Sequence, residues 1–523
     1  MTKDETVALY ARGKEAWNDW AEKRLAERAK LQAAGQWVSD LNVTETSDGN
    51  EEATRQWLND SRVDFTSSGF GSADGSDATF ADFLFPAEAV FNGAAFQCNT
   101  NFDGAIFKNM AQFRGTQFRG RSMSCQGAFF EGSANFSGAQ FPYDAFFSGT
   151  TFHENVLFEA VEFRGNSDFS SVRFVNGASF RNAKIGPVTF NHSCFTQEAI
   201  FAQATFTGAA IFSNAVFQSK ATFRNAVFNN ETFFNNARFD GVALFAVVIF
   251  REFTHFTDAA FADETSFVAM KGESYFTMRG ATFNLLPDFA QAHFDEAPRL
   301  DESIFNNTPK LSPHYPGRWR ALKRVAIQAH DHEREQMFFA EEIKSLRGVE
   351  DFALPKPNHG RPAWSGSGRY WTGLFYEFFS DFGRSILRPI IGWCGVAILS
   401  AAFFLQYHLS ISKPATTLYH WTLGTDKGPP FSKLGCLSSP RHFGDQDNPV
   451  AAAVYVSIHN GVVFSGLGRS DKLVQSYGCL YGGNESSSSI PNLIVFVGFI
   501  QTLGSAVLIF LLGLALRNKF KIR

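Results

Sequence analysis

Residues 210–264 read AIFSNAVFQSK, ATFRNAVFNNE, TFFNNARFDGV, ALFAVVIFREF and THFTDAAFADE when the chain is divided every eleven residues. Phenylalanine occupies the third and the eighth position of all five units. Most of these phenylalanines lie two residues after an alanine or a threonine. The strict recurrence of one large residue indicates a structural repeat rather than a general enrichment in aromatic residues.

The same eleven-residue pattern extends outward in both directions, from Phe80 to Phe305. Of its 42 phenylalanine positions, 37 hold Phe, although only 61 of the 523 residues are Phe. Chance alone would place about 5 there. The register slips by one residue after Phe118 and slips back after Ile185.

An eleven-residue period excludes both an alternating strand and an ordinary amphipathic helix, because neither returns a large residue every five or six positions. A solenoid with short straight faces fits the period, since each face points one large and one small residue inward. Stacked coils would place Phe over Phe at the strand spacing of about 4.8 Å. Each buried Phe would then contribute roughly 1.5–3 kcal/mol.

This pattern resembles the phenylalanine-rich variant of the pentapeptide-repeat family over residues 61–306. The resemblance implies an all-β fold, a right-handed quadrilateral β-helix with four faces and 22 residues per coil. The 42 faces would form roughly 10.5 coils. The resemblance predicts the fold and leaves function open.

Composition excludes several classes of function. The formal charge is −4, and residues 80–305 hold 22 Asp and Glu against 15 Lys and Arg, so nucleic acid is not an expected partner. We find no phosphate-binding loop, zinc-type Cys/His cluster or nucleophile motif, and therefore predict neither an enzyme nor a cofactor or metal site. No signal peptide opens the chain, so its first segment is expected to stay on the side where it is made.

The segments that flank the repeat have different compositions. Residues 1–60 are predicted to form a helical cap with a polar loop at 38–60. One amphipathic helix would span residues 1–37, with its stripe formed by Val7, Tyr10, Trp17, Ala21 and Leu25. Residues 307–370 are predicted to form a charged helix, solvated or facing an oligomer, and a linker. His330 and His332 would point apart on this helix and bind no metal.

Residues 389–523 are predicted to form an α-helical membrane domain. Residues 389–407 and 493–516 carry no charge and are each long enough to cross about 30 Å of hydrocarbon. Residues 371–388 precede them as an interfacial helix that carries Asp381, Arg384 and Arg388. The excess of Lys and Arg near the presumed inner ends places the repeat and both termini in the cytosol of a bacterium, with the protein in its inner membrane.

The loop at 408–492 would then face outward, with a disulfide between Cys436 and Cys479. Within it, Asn448 and Pro449 begin an apolar helix of about 13 residues, too short to span, and a glycine-rich stretch follows. This layout resembles that of the two-helix, P-loop ion channels and implies a re-entrant pore-type helix, although the T-x-G-Y-G signature for potassium is missing. The predicted pore-lining residues are Ser457, His459, Asn460, Phe464, Ser465, Gly466, Gly468, Arg469 and Gln501.

Two functions remain open at this stage. One is an ion-channel-like homo-oligomer, a tetramer by the channel resemblance, whose cytosolic solenoid senses or binds a protein partner and biases the pore. The other is a membrane-anchored interaction scaffold without conduction. Membrane lipid is an expected partner of both.

Overall fold

The repeat folds into strands of only two or three residues, separated by tight corners. A computed structural model describes residues 1–37, 52–71, 76–306, 315–352, 364–412, 449–462, 473, 476–477, 480–481 and 492–520. The chain divides into two units, Met1–Ser345 and Leu346–Arg523, and each is described by itself.

Four parallel sheets, I to IV, form the faces of a β-solenoid of about 11 turns, so that successive strands of the chain belong to successive sheets. Sheet I contains β1 (Val63–Asp64), β5 (Ala89–Val90), β9 (Ala111–Gln112), β13 (Ala134–Asn135), β17 (Val156–Leu157), β21 (Ala178–Ser179), β25 (Ala199–Ile200), β29 (Ala221–Thr222), β33 (Ala243–Leu244) and β37 (Thr265–Ser266). Sheet II contains β2 (Gly69–Phe70), β6 (Ala95–Phe96), β10 (Gln117–Phe118), β14 (Gln140–Phe141), β18 (Glu162–Phe163), β22 (Lys184–Ile185), β26 (Thr205–Phe206), β30 (Val227–Phe228), β34 (Ile249–Phe250), β38 (Lys271–Gly272) and β41 (His293–Phe294).

Sheets III and IV complete each turn of the solenoid. Sheet III contains β3 (Ala78–Thr79), β7 (Thr100–Asn101), β11 (Ser122–Ser124), β15 (Asp144–Phe146), β19 (Ser167–Asp168), β23 (Val188–Thr189), β27 (Ala210–Ile211), β31 (Thr232–Phe233), β35 (Thr254–His255) and β39 (Phe276–Thr277). Sheet IV contains β4 (Leu84–Phe85), β8 (Ile106–Phe107), β12 (Phe129–Phe130), β16 (Thr151–Phe152), β20 (Arg173–Phe174), β24 (Cys194–Phe195), β28 (Val216–Phe217), β32 (Arg238–Phe239), β36 (Ala260–Phe261), β40 (Thr282–Phe283) and β42 (Ile304–Phe305).

Phenylalanine rings fill the interior of the solenoid. Phe212 lies parallel to Phe234 in the next coil, with ring centroids 4.8 Å apart, and edge-on to Phe201 and Phe223 at 5.4 Å and 5.6 Å. Offset-parallel and edge-to-face contacts are the two favourable geometries for aromatic pairs. The predicted stacking of Phe over Phe is therefore confirmed, with perpendicular neighbours between adjacent faces.

One of the two types of corner contains, in each coil, a residue in the left-handed backbone conformation. After each strand of sheets I and III the chain turns through a residue with positive φ, as at Asp82 and Val247, both with φ +58°. Glycine or asparagine, which tolerate this conformation, fill many of these corners. Val247 is β-branched and therefore strained there.

Both predicted register slips occur at single corners. Val227 pairs with Ile249, 22 residues later, which is the usual coil. The corner between β10 and β11 holds one extra residue, so Thr100 pairs with Met123, 23 residues later. This corner contains Gly120, where any side chain would collide with the Cys98 carbonyl. The corner between β22 and β23 holds one residue fewer, and Lys184 consequently pairs with Thr205.

Three helices cover the first coil: α1 (Lys3–Tyr10), α2 (Lys14–Ala33) and α3 (Glu52–Ser61). The prediction of one continuous helix was wrong, because α1 ends at Tyr10 and Gly13, at φ +87°, is the N-cap from which α2 begins. Val7 is exposed, whereas Tyr10 stacks on Phe80 at 4.6 Å. Helix α3 occupies part of the predicted loop at 38–60; residues 38–51 lie outside the described part.

Side chains of these helices also bond to the open edge of the first coil. Trp17, fully buried, donates from its indole nitrogen to the carbonyl of Leu84 at 2.9 Å. The Asn18 amide accepts from the Leu84 N–H and donates to the Asp82 carbonyl, both at 2.9 Å. The cap therefore satisfies backbone groups that have no preceding strand.

Two helices cover the last coil, α4 (Tyr315–Gln328) and α5 (His332–Phe352). The prediction of one continuous, solvated helix was wrong, and the alternative that it faces an oligomer stays a prediction. His330 has φ +54° and interrupts it, and the Phe338 ring packs edge-on against Phe305 at 5.3 Å. Guanidinium groups of Arg318 and Arg334 donate to the carbonyls of Leu286 and Ser303, at 2.8 Å and 3.0 Å.

The second unit contains four described helices longer than one turn. They are α6 (Trp364–Ser380), α7 (Leu387–Ser412), α8 (Pro449–Gly461) and α9 (Asn492–Phe520). The start of α6 overlaps the predicted linker, whose residues 353–363 lie outside the described part. The short helix after Asn448 is thus confirmed as a 13-residue helix.

Candidate functional site in the C-terminal helices

Helices α7 and α9 are long and apolar enough to cross a membrane, over Leu387–Ser410 and Asn492–Lys519. Many of their large side chains are exposed, among them Ile398, Leu399, Phe499 and Phe510. An exposed apolar surface of this extent suits contact with lipid or with another protein.

A buried hydrogen-bond network links the two long helices through α8. The Ser457 hydroxyl donates to the carbonyl of Ala397 on α7 at 2.6 Å. From α9, the Gln501 amide nitrogen donates to both the carbonyl and the hydroxyl oxygen of Ser457, each at 2.7 Å. Both side chains are almost fully buried, and the amide oxygen of Gln501 has no partner within the described part of the chain.

The end of α8 is held by two further contacts. The Trp393 indole on α7 donates to the Gly461 carbonyl at 3.0 Å. The Asn460 amide donates to the Tyr477 hydroxyl at 3.1 Å and lies against Gly498 of α9, where a Cβ atom would come within 3.2 Å of it. Gly498 therefore permits a close approach that a larger residue would prevent.

The residues described after α8 contact the other end of α7. The His408 ring bonds to the Leu480 carbonyl at 2.7 Å, and the Tyr481 hydroxyl donates to the carbonyl of Phe404 at 3.1 Å. Phe404 and Leu480 are buried in one apolar cluster with Ala452, Ala453, Val456 and Ile494. Gly461, which bonds to Trp393, and Leu480, which bonds to His408, are therefore about twenty residues apart in the sequence but contact opposite ends of α7.

A second constellation lies at the corner between α6 and α7. Asp381, Phe382 and Gly383 all have positive φ, and Phe382 is buried against Tyr376. The Asn518 amide of α9 donates to the Gly383 carbonyl at 3.3 Å. A Cβ atom on Gly383 would lie 2.8 Å from this amide nitrogen, so the corner requires glycine.

A family model named Pentapeptide repeats (9 copies) matches residues 113–162, 158–205 and 201–248, all within the four-sheet solenoid. The solenoid is a pentapeptide-repeat domain. The sequence prediction of this family is thereby confirmed. No curated protein and no solved structure matches the chain. The resemblance of the C-terminal helices to P-loop channels stays a prediction.

Beyond the pentapeptide-repeat domain, the structure brings together some of the predicted pore residues. Ser457 and Gln501 bond to each other, and Asn460 lies close by at the end of α8. The His459 ring is half-buried and lies 6.2 Å from that of Tyr455. The remaining candidates lie outside the described residues: Phe464, Ser465, Gly466, Gly468, Arg469, Cys436 and Cys479.

The prediction of one interfacial helix over 371–388 was wrong, because α6 ends at Ser380 and α7 begins at Leu387. Its predicted charged residues instead form one cluster at the corner between these helices. Arg384 pairs with Asp381 at 3.0 Å, and the Arg388 guanidinium donates to the Glu377 carbonyl at 3.0 Å. Sequence reasoning missed Tyr376 and Asn518, which complete this corner. A separation of 135 residues between Gly383 and Asn518 carries no periodic signal that could have revealed the contact.

Proposed function

We propose that this pentapeptide-repeat protein is anchored in the bacterial inner membrane by α7 and α9. In a homo-oligomer, α8 and the glycine-rich segment after it would contribute to an ion-conducting pore. A tetramer is the form that the channel resemblance implies. The solenoid and both termini would lie in the cytosol, where the solenoid binds or senses a protein partner and biases the pore.

The path of the chain around α8 carries this proposal. Helix α8 has 13 residues, too few to span a bilayer. Its Ser457 lies against Ala397, near the middle of the apolar stretch of α7, and its last residue bonds to Trp393. The described residues up to Tyr481 then contact Phe404 and His408, nearer the other end of α7. These contacts support the proposal of a segment that enters and leaves the membrane on one side.

Polar groups at that depth support a role in conduction. Irregular backbone and polar side chains inside a bilayer occur where they are buried in protein or line water. The amide oxygen of Gln501 lacks a partner within the described residues, and water in a pore or a neighbouring copy would supply one. Glycines such as Gly466 would allow carbonyl groups to approach an ion.

The pore proposal is tested by oligomeric state and conductance. We expect the detergent-purified protein to form a cyclic oligomer and to pass current in planar bilayers. Gly466→Trp should abolish this current, whereas Gly513→Trp, at a position open to its surroundings, should retain it. Equal currents from all three proteins would place the pore elsewhere, and a silent monomer would refute the proposal.

Orientation is tested by cysteine labelling in intact cells. After reduction, a membrane-impermeant thiol reagent should label Cys436 or Cys479, which the sequence places outside. Cys98, partly exposed on the solenoid, should stay unlabelled until the cells are opened. Labelling of Cys98 in intact cells would invert the topology.

A membrane-anchored scaffold is the second candidate, and one observation favours it. Ser457 and Gln501 are buried and bonded within a single chain, as in a packed helical anchor. On the solenoid, sheet I carries an open depression of about 500 Å³, lined in part by Met110, Leu157 and Glu159, where a protein could dock. A monomer that captures a cytosolic protein without conducting would establish this alternative.

A further inference from the structure

Four cationic side chains surround the corner between α6 and α7. Arg384 and Arg388 belong to the corner and the first turn of α7, and Arg517 and Lys519 to the last turn of α9. The bond from Asn518 to Gly383 brings the end of α9 to this corner. All four side chains are exposed.

The corner is rigid enough to hold these cations in place. Buried Ser380 donates to the Tyr376 carbonyl at 2.8 Å and accepts from the Gly383 N–H at 3.2 Å. On α7, a Cβ atom at Gly392 would lie 3.0 Å from the Phe379 ring and 3.2 Å from Leu508. Helices α6, α7 and α9 therefore meet at a closely packed junction beneath the charges.

The cations are only partly neutralised. Arg384 pairs with Asp381, and Glu377, whose backbone carbonyl accepts from Arg388, is the other acidic residue at this end of α6. Within the described part of the chain, no carboxylate lies in ion-pair distance of Arg517 or Lys519. Counted over the described residues, four cations against two carboxylates leave the cluster positive, and a ligand that complements it carries negative charge.

Apolar surface adjoins this charge on α6. Trp371, Phe375 and Phe378 share one face of the helix and are 66%, 43% and 72% exposed. Exposed aromatic rings beside cations, next to apolar helices, match the chemistry of a phospholipid, whose phosphate and acyl chains are joined in one molecule. A free anion would contact the cationic part of this surface and not its aromatic part.

We propose that the junction of α6, α7 and α9 is a binding site for an anionic phospholipid headgroup. Arg388, Arg517 and Lys519 would bind the phosphate, while the aromatic face of α6 contacts the acyl chains. This inference rests on the membrane anchoring in the proposed function and is independent of conduction. Each cation near a lipid surface changes the affinity by roughly fivefold.

Displacement of a fluorescent phosphatidylglycerol from the full-length protein in detergent tests the site. Unlabelled phosphatidylglycerol should compete at least about tenfold better than phosphatidylcholine. The double variant Arg517→Gln, Lys519→Gln should lose roughly 30-fold in affinity for phosphatidylglycerol. The matched control Arg224→Gln, Arg251→Gln, with both substitutions on the exposed surface of the solenoid, should not change it.

A variant with the opposite sign guards against a merely structural effect. Asp381→Asn removes the carboxylate that pairs with Arg384 and should strengthen phosphatidylglycerol binding by about fivefold. Unchanged or weakened binding in this variant, or equal competition by phosphatidylcholine, would overturn the proposal. Competition by glycerol phosphate as strong as that by phosphatidylglycerol would also overturn it and indicate a site for free phosphates.

A separate experiment, done first, distinguishes a failure of membrane anchoring from a failure of the lipid site. Alkaline carbonate extraction of membranes should leave the wild-type chain in the pellet. Release into the supernatant would refute the membrane anchoring. A chain that stays in the pellet but shows no preference for phosphatidylglycerol would refute only the lipid site.

Discussion

In the solenoid, a buried ring such as Phe212 has an equivalent ring one coil before it and one coil after it, Phe190 and Phe234. In the C-terminal helices, the buried amide of Gln501 bonds to one residue, Ser457. The first region repeats one apolar contact along its length, and the second depends on a few polar contacts that occur once. A contact that repeats along the chain can be predicted from the sequence, whereas the features specific to this chain depend on contacts that occur once.

The largest effect is expected from a cavity inside the ring stack. Phe212→Ala should lower the free energy of unfolding by about 3–5 kcal/mol, because six neighbouring rings lose contacts in a fully buried interior. Urea denaturation of a fragment of residues 1–345 measures it. Phe253→Ala, at an exposed ring directly before β35, is the matched control and should change little.

The stack also predicts a difference between two positions that the sequence makes equivalent. Phe250 stacks on Phe228 in the preceding coil, with ring centroids 5.0 Å apart. In the next coil, Gly272 occupies the position that pairs with Phe250, and the nearby Phe276 ring is tilted relative to the Phe250 ring rather than parallel to it. Phe250→Ala should therefore cost about 1 kcal/mol less than Phe212→Ala, the value of one ring pair. Equal losses would show that parallel stacking contributes no specific stability.

A substitution at a corner should stabilise the repeat. Val247 has φ +58° although its side chain is β-branched, and it is exposed. Val247→Asn relieves this strain and should raise the free energy of unfolding by about 1 kcal/mol. The control Asn225→Val, at the same corner position in an earlier coil with φ +58°, should lower it similarly. Changes of the same sign in both variants would contradict the corner rule.

Polar coupling in the helices should be smaller. Hydrogen bonds between membrane helices average roughly 0.6 kcal/mol and reach about 1.7 kcal/mol. A double-mutant cycle of Ser457→Ala and Gln501→Leu, followed by unfolding of the full-length protein in mixed micelles, should give a coupling energy in this range. Strictly additive losses would mean that the network does not join α8 to α9.

The smallest expected effect depends on pH. Burial beside Phe233 lowers the pKa of His255 below its ordinary value of 6.5, and Glu231 opposes this shift. The unfolded chain therefore takes up the proton first, so stability is complete above pH 6.5 and falls as the pH drops towards the folded pKa. His255→Phe should flatten the urea midpoint of the 1–345 fragment across this window. An unchanged slope would assign the dependence to other groups.

The sequence predicted the solenoid because its signal is periodic. Each Phe recurs with the coil, so the 22-residue register and both slips follow from counting. The ends were predicted less well. Gly13 and His330 each interrupt a helix through a single backbone conformation, which an amphipathic pattern does not encode.

Contacts that occur once could not be predicted in the same way. The short helix α8 and the two apolar helices follow from composition and length. Gln501 lies 44 residues from its partner Ser457, and Arg318 lies 32 residues from its partner Leu286, and nothing in the spacing selects them. The corner at Gly383 depends on packing among three helices, and sequence patterns contain no information about that packing.

The caps at the two ends of the solenoid have a consequence for self-association. A parallel sheet that ends in free N–H and C=O groups offers a template on which further strands can add, and this is the route to fibres. Here Asn18 and Trp17 bond to groups on the first coil, and Arg318 and Arg334 bond to groups on the last. Ten or eleven strands per sheet can therefore stand in register without offering these edge groups for polymerisation.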